Sequence, residues 1–266
     1  MARHARRECD PLWWALAAHS LLFAPWALYA LLTQAHWTAQ LVLMLAISAG
    51  TNTLYFIALR RAYHFAPVAL VYPLARSSPL LIAVWAWLLF GVETPWVGWL
   101  GLAVGSAGLV WLAFSGRVGD TRHALPWAVL AALMTSIYSL SDKAAAPNLP
   151  GFVALMGFLS VGYLCAMLAL ALMRRCSEGR WMPTCRPHPL IVLGGGLAIG
   201  SAYALVIGAM RELPAAQVVA LTNLGIVVAA LLSIVVFRER SAWVIRLSAA
   251  VVVTLGIVLL QWGGHV

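Results

Sequence analysis

The same series of turn residues and apolar blocks occurs twice along this chain of 266 residues. The turn at Ala66-Pro67 returns as Leu213-Pro214, a shift of 147 residues, and the run that starts at Gly108 returns at Gly256, a shift of 148 residues. Chance similarity is the alternative, because apolar segments draw on few residue types. The agreement in order, spacing and turn residues favours an internal duplication.

The composition decides what kind of solvent surrounds the fold. Hydrophobic residues make up 63% of the chain and charged residues only 9%, whereas soluble domains carry about 25% charged residues. So few charges cannot cover a soluble globule, and lipid must therefore be the solvent for most of the surface. In a soluble protein the net charge of +9 would suggest a nucleic-acid partner. Here most arginines stand between apolar runs, which predicts topology determinants, a lipid bilayer as partner and no nucleic acid.

Apolar runs of about 20 residues cross the ~30 Å hydrocarbon core of a bilayer as a helix. The sequence contains nine such runs, and prolines stand at the start of several of them, where a missing N–H costs little. It therefore predicts an all-α, polytopic membrane helical bundle of about nine transmembrane helices. The predicted spans are 11–33, 39–60, 66–91, 95–115, 124–143, 150–173, 188–210, 214–237 and 241–262.

Basic residues are distributed unevenly between the two ends of these spans. Thirteen fall on the side of the N-terminus and two, Lys143 and Arg211, on the other. Because cytoplasmic loops are enriched in Lys and Arg, the sequence predicts a cytoplasmic N-terminus and an outer C-terminus in a cytoplasmic (inner) membrane. The thirteen are Arg3, Arg6, Arg7, Arg60, Arg61, Arg117, Arg122, Arg174, Arg175, Arg180, Arg186, Arg238 and Arg240.

The two copies are predicted to have opposite orientations in the membrane. Spans one to four match spans six to nine, and span five has no counterpart in the first copy. An odd number of crossings therefore separates equivalent spans, which predicts an inverted repeat of four plus five helices. The predicted repeats are residues 1–118 and 119–266.

Several local patterns resemble the EamA-like domain of the drug/metabolite transporter superfamily. The first copy contains APVALVYPLARSSPLL from Ala66 onwards and GVET from Gly91, and the second contains LPAAQVVALTNLGIV from Leu213 onwards. The resemblance covers nearly the whole chain, although its motifs are short and mostly apolar. It implies a permease of two five-helix repeats. Since one helix of the first repeat is missing, this repeat is expected either to lack its first helix or to begin upstream.

One arginine stands near the middle of an apolar span. Arg76 lies about eleven residues into span three, where a charged side chain costs at least ~2.5 kcal/mol on insertion scales. Pro73 and Pro79 each remove a backbone donor and are expected to loosen the helix around it. Freed carbonyls, Tyr72 and Ser77 are then predicted to line a substrate pocket, with an anionic ligand group as the partner of Arg76. The alternative is an arginine held by carbonyls for packing.

The equivalent position in the second copy is Asn223, which follows Thr222. An inverted repeat is expected to place Arg76 and Asn223 on opposite walls of one cavity, as a charged and a neutral anchor. Asn223 and Thr222 are equally well explained as hydrogen-bonding contacts that hold helices together.

Other polar residues stand at matching places in spans two and seven. Tyr55 and Tyr203 align within one residue, and with Asn52 they are predicted to line the cavity. His19 in span one is a candidate for proton coupling, because its unperturbed pKa is near 6.5. A packed, hydrogen-bonded histidine is the alternative.

No known catalytic or nucleotide-binding motif is present, so neither an enzyme nor a primary pump is expected, and no cofactor or metal. The expected activity is that of a secondary transporter moving a small metabolite, anionic or zwitterionic, by alternating access. A non-transporting membrane subunit or scaffold with the same fold is the alternative. The substrate, a coupled ion and a homodimer stay open.

Overall fold

The computed structural model describes residues 10–114, 120–235 and 243–263. Their regular structure is helical throughout, and nine helical stretches are long and apolar enough to cross a membrane. Many large apolar side chains are exposed on these helices, Trp26, Leu89 and Leu190 among them. Such an apolar surface is what a hydrocarbon environment requires, and the chain is a multi-pass membrane protein.

The helices are numbered in chain order. Three spans contain an interruption: a π-helical segment at His19–Phe23 separates α1 from α2, and short breaks separate α4 from α5 and α10 from α11. The helices are α1 Pro11–Ala18, α2 Ala24–Gln34, α3 Ala39–Phe65, α4 Val68–Ala75, α5 Pro79–Phe90, α6 Trp96–Phe114, α7 Thr121–Ala145, α8 Gly151–Glu178, α9 Pro189–Ala209, α10 Ala215–Thr222, α11 Leu224–Val235 and α12 Trp243–Gly263.

The nine predicted spans are confirmed, but two helices extend well past the end that the hydropathy indicated. α3 continues to Phe65, so Arg60 and Arg61 lie within the helix and not in a loop. Likewise α8 continues to Glu178 and includes Arg174 and Arg175. The physical reason is that a helix satisfies its own backbone hydrogen bonds in water as well as in lipid, so it need not stop where its apolar residues do.

The expected loosening of span three is a complete break. α4 ends at Ala75, and α5 starts at Pro79, which has no backbone N–H to continue the earlier helix. The matching break in span eight, between Thr222 and Leu224, was not predicted, because no proline marks it. The π-helical segment in span one was also not predicted.

Two compact units make up the chain, and each is assembled from separate stretches of sequence. The first contains residues 1–60 and 141–212. Within it α2 packs along α8, and α9 packs against both α1 and α8. Its core is a cluster of buried side chains that includes Leu16, Leu31, Phe158 and Ile207.

The second unit contains residues 61–140 and 213–266. Its most extensive packing is between α6 and α12, where glycines allow the two backbones to approach closely. A Cβ atom added to Gly101 would lie 2.6 Å from the carbonyl oxygen of Gly256. Leu109, Val253 and Ile257 form the adjoining apolar core.

Each unit therefore combines helices from both halves of the sequence. The first unites spans one and two with spans six and seven, and the second unites spans three and four and most of span five with spans eight and nine. The proposed repeats, 1–118 and 119–266, stay a prediction about sequence duplication. Of the residues behind the orientation prediction, Arg3, Arg6, Arg7, Arg117, Arg238 and Arg240 lie outside the described residues.

Candidate functional site

Two helix breaks lie in the second unit, at places that the predicted repeat makes equivalent. α4 and α10 each have eight residues, and Val68–Ala75 becomes Ala215–Thr222 by the same shift of 147 residues. Arg76 and Asn223 are the residues that directly follow these two helices. Interrupted helices in a membrane persist only where the exposed backbone is buried in protein or lines a cavity.

A side-chain hydrogen bond joins the two breaks. The Nδ2 of Asn223 donates to the backbone carbonyl of Arg76 at 3.2 Å. This bond satisfies one carbonyl that the end of α4 leaves without an intrahelical donor. The two residues are therefore in contact at the helix ends, whereas the sequence analysis expected them on facing walls of a cavity.

The side chain of Arg76 lies over an aromatic ring of its own segment. Its Cζ is 5.6 Å from the centroid of the Tyr72 ring, a cation–π arrangement. Ser77 donates its hydroxyl to the carbonyl of Leu74 at 2.7 Å, and Thr222 donates to Val219 at 2.6 Å. The hydroxyl groups of Ser77 and Thr222 thus reinforce the ends of α4 and α10.

The Oδ1 of Asn223, a residue that is 3% exposed, and the hydroxyl of Ser78, which is fully buried, have no hydrogen-bond partner in the described part of the chain. Asn223 also lines a cavity of about 10 Å³, together with Pro79, Ser106 and Ala220. A cavity of this size holds about one water molecule. A water molecule or a small polar group there would satisfy the Asn223 amide oxygen.

A carboxyl group is buried in the first unit, near the end of α7. Asp142 is fully buried. The hydroxyl of Ser48 in α3 donates to its Oδ1, and the hydroxyl of Tyr203 in α9 donates to its Oδ2 at 3.0 Å. Asp142 is not among the site residues predicted from the sequence. The alignment of Tyr203 with Tyr55 is a sequence signal that points to this region.

Asn52 and Tyr55, which were predicted to line the cavity, follow Ser48 in α3. Asn52 in α3 is 4% exposed, and its Oδ1 has no hydrogen-bond partner among the described residues. Gly162 in α8 faces it, since a Cβ added there would lie 3.4 Å from the Cβ of Asn52. Tyr55 packs edge-on against Phe56, with 5.0 Å between ring centroids. Asn52 therefore presents an unsatisfied acceptor inside the unit.

His19 sits in the π-helical segment and is fully buried. Its Nδ1 lies 3.1 Å from the carbonyl of Gly196, and its Nε2 lies 2.9 Å from the hydroxyl of Ser160. The ring also meets Tyr163 edge-on at 5.2 Å. Both ring nitrogens are thus engaged in contacts that tie spans one, six and seven together, and proton coupling by His19 stays a prediction.

Four charged residues form an ion-pair cluster at the other end of the first unit. Asp10 accepts from Arg174 at 2.8 Å and from Arg60 at 3.2 Å. Glu178 lies 3.5 Å from Arg174. Arg174 is only 3% exposed, so its charge is offset mainly by these carboxylates. The cluster links the ends of spans one, two and six.

The structure thus divides the predicted site residues between the two units. Arg76, Tyr72, Ser77, Thr222 and Asn223 lie at the breaks in the second unit, and Asn52, Tyr55, Tyr203 and His19 lie in the first. Among the described residues no group of three or more His, Cys, Asp or Glu residues is arranged to hold a metal ion.

Comparisons with known proteins bear on the fold alone. No family model and no curated protein matches this chain. A solved structure described as "Crystal structure of protein" is similar, with 19% sequence identity, a TM-score of 0.61, and coverage of 93% of this chain and 98% of the other. At this identity the similarity shows that the helical fold of this multi-pass membrane protein also occurs in an experimentally determined structure.

Proposed function

We propose that this chain is a secondary transporter of the EamA-like, drug/metabolite transporter type, which moves a small metabolite across the cytoplasmic membrane by alternating access. The observation that carries the proposal is the hydrogen bond between Asn223 and the carbonyl of Arg76. It joins two helix breaks at equivalent places in the duplicated sequence. Discontinuous helices near the bilayer midplane are the usual substrate and ion sites of secondary transporters built from repeats.

The packing of the broken helices supports alternating access. α5 packs against α10. The equivalent pair in the repeat is α11 with α4, and within the described residues this pair makes no comparable packing contact. One of the two equivalent helix pairs is therefore packed and the other is not. This asymmetry is expected of a transporter that is closed on one side of its substrate site and open on the other.

The polar groups at the breaks support a substrate with an anionic or zwitterionic character. Arg76 keeps its charge at ordinary pH, and Asn223 offers an unsatisfied amide oxygen beside it. A carboxylate would pair with the guanidinium, and an amine or hydroxyl of the same molecule would donate to Asn223.

Asp142 supports a coupled cation. A buried carboxylate whose described partners are two neutral hydroxyls, Ser48 and Tyr203, carries a large desolvation cost unless a cation joins it. A proton or a small metal ion at this carboxyl would tie an ion gradient to the movement of the helices that hold it.

The test is transport by the purified full-length chain in proteoliposomes, with a panel of radiolabelled carboxylates and amino acids as probes. We expect uptake of at least one probe above that of empty liposomes. Arg76→Ala should abolish this uptake, and Arg76→Lys should lose much of it, because a point charge cannot reproduce the guanidinium fork. Arg122→Ala, which removes an exposed arginine of the same unit, should leave uptake unchanged. Failure of every probe would favour a non-transporting membrane subunit.

A further inference from the structure

An open pocket lies at the end of the first unit, where α7 leads into α8 and α9 leads towards α10. Its volume is about 440 Å³. Lys143 and Arg211 line it, and the other lining residues are apolar, Pro147 and Met210 among them. The pocket therefore has two cationic side chains on an apolar wall, and no acidic side chain lines it.

The fold places both cations at this pocket. Lys143 is half-buried in the last turn of α7. The guanidinium of Arg211 donates to the carbonyl of Leu149 in the turn between α7 and α8, so it lies across the pocket wall. α8 begins at Gly151, directly after Pro150 of the lining, and no side chain caps it. The positive end of this 28-residue helix adds to the field of the two cations.

The positions of the two cations have no explanation in membrane topology. They are the two basic residues that the charge distribution assigns to the outer side, opposite thirteen others. Cations on that side work against the positive-inside bias. That both converge on one pocket indicates a role at the pocket itself, because a random pair in separate loops would have no reason to meet.

We propose that this pocket, the Lys143–Arg211 vestibule, is an anion-binding site for a molecule that carries a carboxylate or phosphate group. The guanidinium and the ammonium supply charge-assisted hydrogen bonds, and the apolar wall limits the access of water to their protein-facing side. As the entrance for a transported anion the site rests on the proposed function, whereas anion binding itself does not. A soluble metabolite and the headgroup of an anionic lipid offer the same chemistry.

The test is saturable binding to the full-length chain in nanodiscs of phosphatidylcholine, which carries no net charge. The probes are succinate and inorganic phosphate, and the readout is the unfolding midpoint followed by tryptophan fluorescence, at constant ionic strength set with sodium chloride. A ligand that binds the folded state raises this midpoint in a concentration-dependent way. We expect saturable stabilisation by at least one probe, and about tenfold weaker binding for each cation removed, in Lys143→Gln and Arg211→Gln.

Matched variants separate charge from folding. Arg211→Lys keeps the charge but loses the guanidinium contact with Leu149, and should retain most of the binding. Arg180→Gln removes an exposed arginine of the same unit, which is hydrogen-bonded to Thr184, and should bind as the unchanged protein does. Monodisperse elution and a cooperative unfolding transition without ligand establish that each variant folds.

A second arm distinguishes the two sources of the anion. Phosphatidylglycerol is added to the nanodiscs, and bound lipid is counted by native mass spectrometry in the unchanged protein and in the double variant. Binding of phosphatidylglycerol without succinate or phosphate assigns a lipid headgroup, and the reverse assigns a soluble anion. The proposal is overturned if neither class binds, or if the double Gln variant binds as well as the unchanged protein. Because no transport is measured, these outcomes are independent of the transport test.

Discussion

Asn223 donates a hydrogen bond to the backbone carbonyl of Arg76, and the two residues stand 147 residues apart, the distance at which the sequence repeats itself. Contact between a position and its own equivalent is what the predicted inverted repeat would produce near an axis relating the two copies. A second relationship agrees with this. A Cβ on Gly256 would lie 2.5 Å from the Cα of Gly105, and one on Gly108 would lie 2.9 Å from the backbone nitrogen of Val253. These two contacts are equivalent in the repeat, because a shift of 148 residues takes Gly105 to Val253 and Gly108 to Gly256.

The bond at the helix breaks should contribute measurably to stability. We expect Asn223→Ala to lower the free energy of unfolding by about 1–3 kcal/mol, because the carbonyl of Arg76 loses its buried donor. The measurement is an unfolding titration with sodium dodecyl sulphate in mixed micelles. Thr222→Ala is the matched neighbour, since its hydroxyl bonds only within its own turn at Val219. Equal effects of the two substitutions would contradict the role given to Asn223.

The Asp142 carboxyl should matter for coupling more than for folding. Asparagine keeps an oxygen that accepts from Ser48 and Tyr203 but cannot carry a negative charge. We expect Asp142→Asn to fold, to exchange substrate across the membrane, and to lose accumulation driven by an imposed ion gradient. Proteoliposomes with and without a gradient measure this. Accumulation equal to that of the unchanged protein would remove Asp142 from the coupling mechanism, and Ser139→Ala in the same helix is the control.

The ion-pair cluster in the first unit should behave as one group. Removal of Arg174 leaves the carboxylate of Asp10 with less compensation, so Arg174→Met should lower the free energy of unfolding by about 3–5 kcal/mol. Asp10→Leu combined with Arg174→Met should recover part of this loss, because no uncompensated charge then remains at this pair. The measurement is a double-mutant cycle. Strict additivity of the two single effects would show that the pair is not energetically coupled.

The contact between α6 and α12 should not tolerate a methyl group. Gly256→Ala places its Cβ against the backbone of α6, which cannot move aside as a flexible side chain could, and we expect a loss of about 1–3 kcal/mol. Gly225→Ala is the control, because a Cβ there has nothing within 4 Å. The measurement is the thermal unfolding midpoint of both variants in the same detergent, compared with that of the unchanged protein. A Gly256→Ala protein as stable as the Gly225→Ala protein would rule out this close approach.

The orientation of the chain can be tested with single cysteines. Cys176 near the end of α8 is a free, exposed thiol, and the bias of basic residues places it in the cytoplasm. In a variant whose other three cysteines are replaced, Cys176 should resist a membrane-impermeant maleimide in intact cells and react after permeabilisation. A cysteine introduced at the exposed Pro147, in the turn between α7 and α8, should react in intact cells. The reverse pattern would invert the predicted topology.

The sequence by itself determined the class of the protein and the places where its helices lie. Apolar length and the scarcity of charge are sufficient for this, because a lipid solvent requires about 20 apolar residues per crossing whatever those residues contact. Pro73 and Pro79 also predicted the break around Arg76, because a missing backbone N–H weakens the helix in its own turn. The repeat in sequence further pointed to Asn223 as the partner position.

Only the tertiary structure decided what those positions contact. The break before Leu224 has no proline, and the burial of Asp142 depends on Ser48 and Tyr203, which are distant in sequence. Lys143 and Arg211 looked like separate loop residues until the fold placed both at one pocket. The physical reason is the same in each case: hydropathy reports how a residue meets its solvent, whereas these features arise from neighbours that only helix packing brings together.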